Sequence, residues 1–255
     1  MNNKALTWFA AALSILGGWG AASGQQQRDL RLKFNSRSLK FRLTVRDLQS
    51  AYTVTPSGDI RMHPAPPSAV LADDIVEVAI AEGPASAGRL TVRRAGQAHA
   101  VAVRADNSID GATILTGLPF GYSFLPREGT ARAGDAWRQD FPAPEGDNGA
   151  RASAAYRYTF RGARPAPGCA DCVEIEIQGV RRFLTSPALD RAMKAAGLAQ
   201  PDSFYTEERP FALGAVQFSP KEGFLRRFML SANPSMFTVL PVPGMMREIV
   251  FERAR

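Results

Sequence analysis

The first residues in this sequence whose type and spacing suggest chemistry are the two cysteines of Cys169-Ala170-Asp171-Cys172. A Cys-x-x-Cys pair exchanges disulfides when a strand feeds it into a helix whose N-terminus lowers a thiol pKa, and it binds zinc when further ligands converge on it. Here the pair follows Pro165-Ala166-Pro167-Gly168 and runs into alternating residues from Val173, so it has neither context. A structural loop disulfide is the expected use, and it requires an oxidising compartment. Closing so short a loop contributes no more than about 2 kcal/mol, enough to trim a hairpin end. The two histidines, His63 and His99, stand outside any metal or nucleophile motif. The sequence has no Gly-x-Ser-x-Gly elbow, no His-Glu-x-x-His and no phosphate-cradling Gly-rich loop. No catalytic residue, metal ligand or cofactor is assigned, and the reading leans away from an enzyme.

Two acidic groupings imitate functional sites. Asp106-Asn107-Ser108-Ile109-Asp110-Gly111 opens like a calcium loop, but Gly117 stands where the bidentate glutamate belongs, so an ordinary turn is expected. Glu207 and Glu208 would be a carboxylate pair for glycoside hydrolysis, except that adjacent residues on a strand point to opposite faces. A solvated charge cluster is the expected role. The net charge of +7 points instead to anionic surroundings. A cationic stripe of Arg31, Lys33, Lys40, Arg42 and Arg46 is a candidate face for lipid phosphates or another anionic partner. Lysine and arginine on an exposed strand also prevent edge-to-edge aggregation. No nucleic-acid module is recognisable.

The elements that must position these residues are mostly strands. Leu39, Phe41, Leu43 and Val45 alternate with Lys40, Arg42, Thr44 and Arg46, which is the pattern of a half-buried strand. Leu30, Leu32 and Phe34 alternate just before it, and Asn35-Ser36-Arg37-Ser38 suggests a hairpin between the two runs. A second hairpin joins Tyr156, Tyr158 and Phe160 to Val173, Ile175 and Ile177, with arginines facing glutamates. Further strands are expected at 75–80, 89–94, 98–104, 211–218, 224–230 and 245–253, with turns at Ala95-Gly96-Gln97 and Pro220-Lys221-Glu222-Gly223. One short helix is expected at about 186–197, with Ser186 as N-cap, Pro187 at its first position and Gly197 at its end. The fold class is therefore mainly β, an antiparallel sandwich or open half barrel, built as one unit or as two packed halves at about 25–140 and 150–255.

The segment from Leu125-Pro126-Arg127 to Gly134-Asp135-Ala136-Trp137 resembles a Pro…Gly-Asp-x-Trp signature that recurs in uncharacterised secreted bacterial proteins rich in β-strands. In such proteins an opening strand like 30–34 comes earlier and a strand-turn-strand like 215–228 comes later. The resemblance implies an envelope or secreted location and no particular activity. Physically, Gly134-Asp135 makes a turn and Trp137 anchors the next strand in the core.

Lys4, the apolar stretch 5–16 and Ala22-Ser23-Gly24 read as a signal peptide over residues 1–24, with cleavage near Gly24 and release of 25–255 to the periplasm or the exterior. A retained anchor is the rival, but Gly17, Gly18 and Gly20 break the second half of the stretch. The leading expectation is a non-enzymatic exported protein that binds an apolar ligand such as a lipid, or an envelope protein partner, with peripheral membrane contact. Phe120, Tyr122, Phe124, Met229, Met236, Met245 and Met246 are candidates for an adaptable lining. The alternatives are a hydrolase acting on an envelope polymer and a subunit or assembly factor of an envelope complex.

Overall fold

The computed structural model describes residues 27–49, 52–54, 60–62, 69–82, 88–104, 106–110, 124–141, 151–184, 191, 194–195, 197, 208–232 and 245–254. The strands are β1 (Arg28–Asp29), β2 (Arg37–Gln49), β3 (Tyr52–Val54), β4 (Ile60–Met62), β5 (Ala69–Glu82), β6 (Gly88–Arg94), β7 (Gln97–Val103) and β8 (Ile109–Asp110) in the first part of the chain. They continue with β9 (Thr130–Ala131), β10 (Ala136–Phe141), β11 (Arg151–Ala163), β12 (Val173–Leu184), β13 (Arg209–Ser219), β14 (Phe224–Ala232) and β15 (Met245–Arg253). Eleven of them form one sheet in the order β10-β11-β12-β13-β14-β15-β2-β5-β6-β7-β8, and every pairing in it is antiparallel. Among the described residues the sheet is open, with β10 at one edge and β8 at the other, so the molecule is mainly β as the alternation predicts.

Period-2 patterning gives the sheet two unlike sides. One is apolar: Leu39, Phe41 and Leu43 of β2 lie beside Val76 and Val78 of β5 and Phe251 of β15, all essentially inaccessible. Phe41 stacks on Phe251 with ring centroids 4.4 Å apart. The opposite side is mostly polar, with Ile75 and Leu213 exposed on it, and carries cross-strand ion pairs such as Arg42–Asp73 at 2.6 Å and Arg161–Glu176 at 2.6 Å. Such exposed pairs contribute at most about 1 kcal/mol each, so burial on the apolar side supplies most of the stability.

Three hairpins follow their local chemistry. β6 turns into β7 through Ala95 and Gly96, both at positive φ (47° and 79°), the two-residue turn whose twist suits paired strands. β13 turns into β14 through 220–223, where Gly223 has φ +62° and its N–H bonds Ser219 O at 2.7 Å. β11 and β12 pair as expected, Tyr158 opposite Ile177 and Phe160 opposite Ile175, with a bulge at Gly162 that lets Arg161 reach Glu176.

The expected hairpin between 30–34 and β2 does not form, and 30–34 is not a strand. Both edges of β2 are taken by distant segments, β15 on one side and β5 on the other. The segment 30–34 instead crosses one end of the sheet: Leu30 N–H donates to Gly129 O (2.7 Å), and Lys33 N–H donates to Gly223 O (2.9 Å). Its alternation serves that role, since Leu30 is fully buried and the Phe34 ring lies where a side chain on Gly88 would stand. Of the expected helix, Arg191, Lys194 and Ala195 are helical and Gly197 follows with φ +69°; its other positions lie outside the described residues.

Candidate functional site

The two ends of the sheet are built differently. At the end reached by the C-termini of β5, β7, β11, β13 and β15, the crossing segment 30–34 packs against the Gly129 and Gly223 turns. Asn107 is the pin. It sits at φ +61° and is 6% exposed, and its side chain accepts from Leu32 N–H (3.3 Å) and donates to Pro126 O (2.9 Å) and Leu30 O (3.4 Å). The neighbouring Asp106 carboxylate accepts from the Ser108 hydroxyl (2.6 Å) and N–H (3.0 Å), which holds its pKa below the usual value. The turn in the calcium-like run is thus at 106–108, where it staples three segments; Asp110 of the expected Asp-Gly turn is in β8, and Gly111 lies outside the described residues.

Cys169 and Cys172 form a disulfide at this same end. Cys172 is wholly buried and Cys169 is 6% exposed. Asp171 between them accepts from the Ser219 hydroxyl (2.7 Å) and the Lys221 N–H (2.8 Å), and Arg226 donates to Gly168 O. Burial alone would raise the Asp171 pKa; the hydrogen bonds from Ser219 and Lys221 outweigh it and hold the carboxyl below its ordinary value. Asp171 therefore ties the β11–β12 loop, which the bridge closes on itself, to the β13–β14 turn, and the chain leaves the bridge into β12, without the helix N-terminus that activates a thiol.

At the opposite end the apolar side gives way to charge. Asp47 and Arg247 face each other across β2 and β15 and pair through two bonds of 2.8 and 3.2 Å. The Asp47 side chain is only 14% exposed, and the bond to it raises the Arg247 pKa. Asp74 and Arg94 pair at 2.7 Å across β5 and β6. All four share the parity of the apolar residues: Asp47 follows Val45, Asp74 precedes Val76, Arg94 follows Val92 and Arg247 precedes Ile249. That parity was readable from the sequence, where charged residues at in-facing positions of alternating runs stand out, and it was the signal missed. His99 is exposed on β7 near this end. Nearby Val70 and Leu71 are 58% and 50% exposed, where β5 carries an extra residue against β2.

The structure divides the expected cationic stripe. Arg31 lies over Gly129 and donates to Glu128 O (3.2 Å), while Lys33 lies over Gly223 and donates to Lys221 O (3.3 Å). Lys40, Arg42 and Arg46 sit on the polar side of β2, and Arg42 is bound by Asp73. Arg42 lines a groove of about 1020 Å³ between that side and the disulfide loop, together with Arg226, Arg227 and Arg253. Those arginines are matched by Asp73, Glu222 and Glu252. Glu208 bonds both Arg138 and Arg157, the first of which holds its pKa down, so it is part of a charge cluster as expected. Glu207, His63, Phe120, Tyr122 and Met236 lie outside the described residues, as do the side chains of Met245 and Met246. Phe124 is buried in the core, and Met229 is half-buried on the outer side of the sheet, opposite Ala215 and Val250. Among the described residues no three His, Cys, Asp or Glu side chains cluster to hold a metal.

The Gly-Asp-x-Trp residues start the edge strand. Gly134 has φ +97°, the Asp135 carboxylate accepts from Arg132 N–H (2.8 Å), and Trp137 stacks on Tyr158 with centroids 5.9 Å apart. Compared with protein-family models, curated proteins and solved structures, the chain matches none. Among the described residues no helix is long and apolar enough to cross a membrane.

Proposed function

We propose that this is an exported, non-enzymatic protein that binds an amphiphilic ligand at the end of the sheet where the buried apolar side gives way to charge, its polar head at the Asp47–Arg247 and Asp74–Arg94 pairs and its apolar part against the exposed Val70 and Leu71 beside them. The observation that carries this reading is the polarity change along one side of a single sheet. The same face is wholly apolar through Phe41, Leu43, Val76 and Phe251, and ends in two ion pairs at in-facing positions. Ion pairs there cost desolvation that an apolar residue would not, so their placement suits recognition better than stability. The disulfide supports export, and so do the signal-peptide pattern of 1–24 and the resemblance of the Gly-Asp-x-Trp segment to secreted proteins.

The test is native mass spectrometry of the protein purified without detergent, with lipid extraction of the same sample. A bound amphiphile at near-stoichiometric occupancy is the expected result. Repeated preparations free of any small amphiphile, with none taken up from added envelope lipid, would refute the carrier reading.

A further inference from the structure

The edge strand β10 offers its own pairing partner. Phe160 directs both its backbone groups at the start of β10: its carbonyl accepts from Gly134 N–H (2.8 Å), and its N–H donates to Asp135 O (2.9 Å). Backbone direction alternates along an antiparallel ladder, so Trp137 and Gln139 face β11, opposite Tyr158 and Tyr156. Ala136, Arg138 and Asp140 therefore turn their N–H and C=O groups to the outer edge, where no described strand pairs with them. That edge forms one wall of a groove of about 750 Å³, lined by 135–140 on one side and by 125–128, Thr130 and Ala131 on the other. A row of outward backbone groups along a groove is a template for another extended strand.

The charges choose the strand. Two copies of β10 that pair antiparallel about a twofold axis must match even-numbered residues with even-numbered ones, because only those point outward. A register centred on Arg138 sets arginine against arginine, and one centred on Asp140 sets aspartate against aspartate. The register centred on Gln139 sets Arg138 of each copy opposite Asp140 of the other, twice, on the polar side where these side chains already pair at 2.6 Å within one chain. Opposed unlike charges stabilise cross-strand pairing and like charges oppose it. Self-complementarity of this kind is what a twofold interface requires.

We infer that two copies of this chain join edge to edge through β10, in the register that centres Gln139 on the twofold axis and faces Arg138 with Asp140 of the other copy. The test is sedimentation of the purified protein over a concentration series, with three charge variants. The protein dimerises; Arg138→Asp and Asp140→Arg each lose the dimer by setting like charges opposite; the double variant Arg138→Asp/Asp140→Arg, again self-complementary, regains it. Because each single variant also disturbs the Glu208 cluster, a second measurement fixes the register. Gln139→Cys places two thiols at a pair whose Cα atoms stand about 4.5 Å apart, within disulfide reach. Both natural cysteines are already bridged, so oxidation should yield a covalent dimer through 139, whereas Arg138→Cys should not. A monomer at every concentration, its edge left to some other extended chain, overturns the inference. So does a dimer that ignores all three charge variants and does not cross-link at 139.

Discussion

At Asn107 one small amide satisfies a backbone donor and two carbonyls from two other segments in a nearly dry site. Asn107→Ala removes all three bonds, leaving Pro126 O only the one from Gly129 N–H, and keeps the left-handed backbone, so unfolding in denaturant should show a loss of about 2–3 kcal/mol. Asn107→Gly deletes the same amide but relaxes the backbone, and should lose about 1 kcal/mol less. Asp171 gives this end of the sheet a pH dependence whose sign follows from its environment. Its folded pKa lies below the ordinary 3.8, so its contribution is fully present above that value and is lost as pH falls through the lower folded value. Asp171→Asn should therefore be less stable than the parent by a constant margin down to about pH 4, and the margin should shrink below it. A margin that stays constant in acid would show that the Ser219 and Lys221 bonds do not favour the ionised form.

Among the elements, what was legible in the sequence divides by loop length. The β6–β7 and β13–β14 pairs were readable because Ala95-Gly96 and Pro220–Gly223 are turns whose chemistry sits beside the strands they join, and the β11–β12 pairing because its alternating faces match in residue type. The β2–β15 pairing was not, since residues about two hundred positions apart meet there, and nothing near Leu39 announces that β15 will occupy its edge. The same lack hid the role of 30–34, whose alternation is real but serves to plug an end. Cys169 and Cys172 were readable as a loop bridge, and their place explains how little should depend on them. Reducing the disulfide should lower stability by no more than about 2 kcal/mol, with faster amide exchange confined to 164–172 and the adjoining 219–223 turn. Loss of protection across β2 and β15 on reduction would contradict a purely local role.

For the molecule as a whole, the question is whether the ion pairs at one end of the apolar side serve the fold or a ligand, and stability and binding can be separated there. Arg247→Leu strands the Asp47 carboxylate, which is mostly enclosed though its partner is 38% exposed, so a loss of about 1–2 kcal/mol is expected after allowing for solvent screening. The double variant Asp47→Leu/Arg247→Leu removes both charges and should recover most of that loss, because a paired charge in partial burial is replaced by apolar contact. If the pair exists to maintain the sheet, the double variant behaves like the parent in every assay. If it receives a polar head, as the charged end of an otherwise apolar face suggests, the double variant folds with near-parental stability and yet purifies with its amphiphile depleted. Thermal unfolding and lipid extraction on the same samples decide between these, and a stable double variant carrying its full complement of amphiphile would remove the ion pair from the binding site.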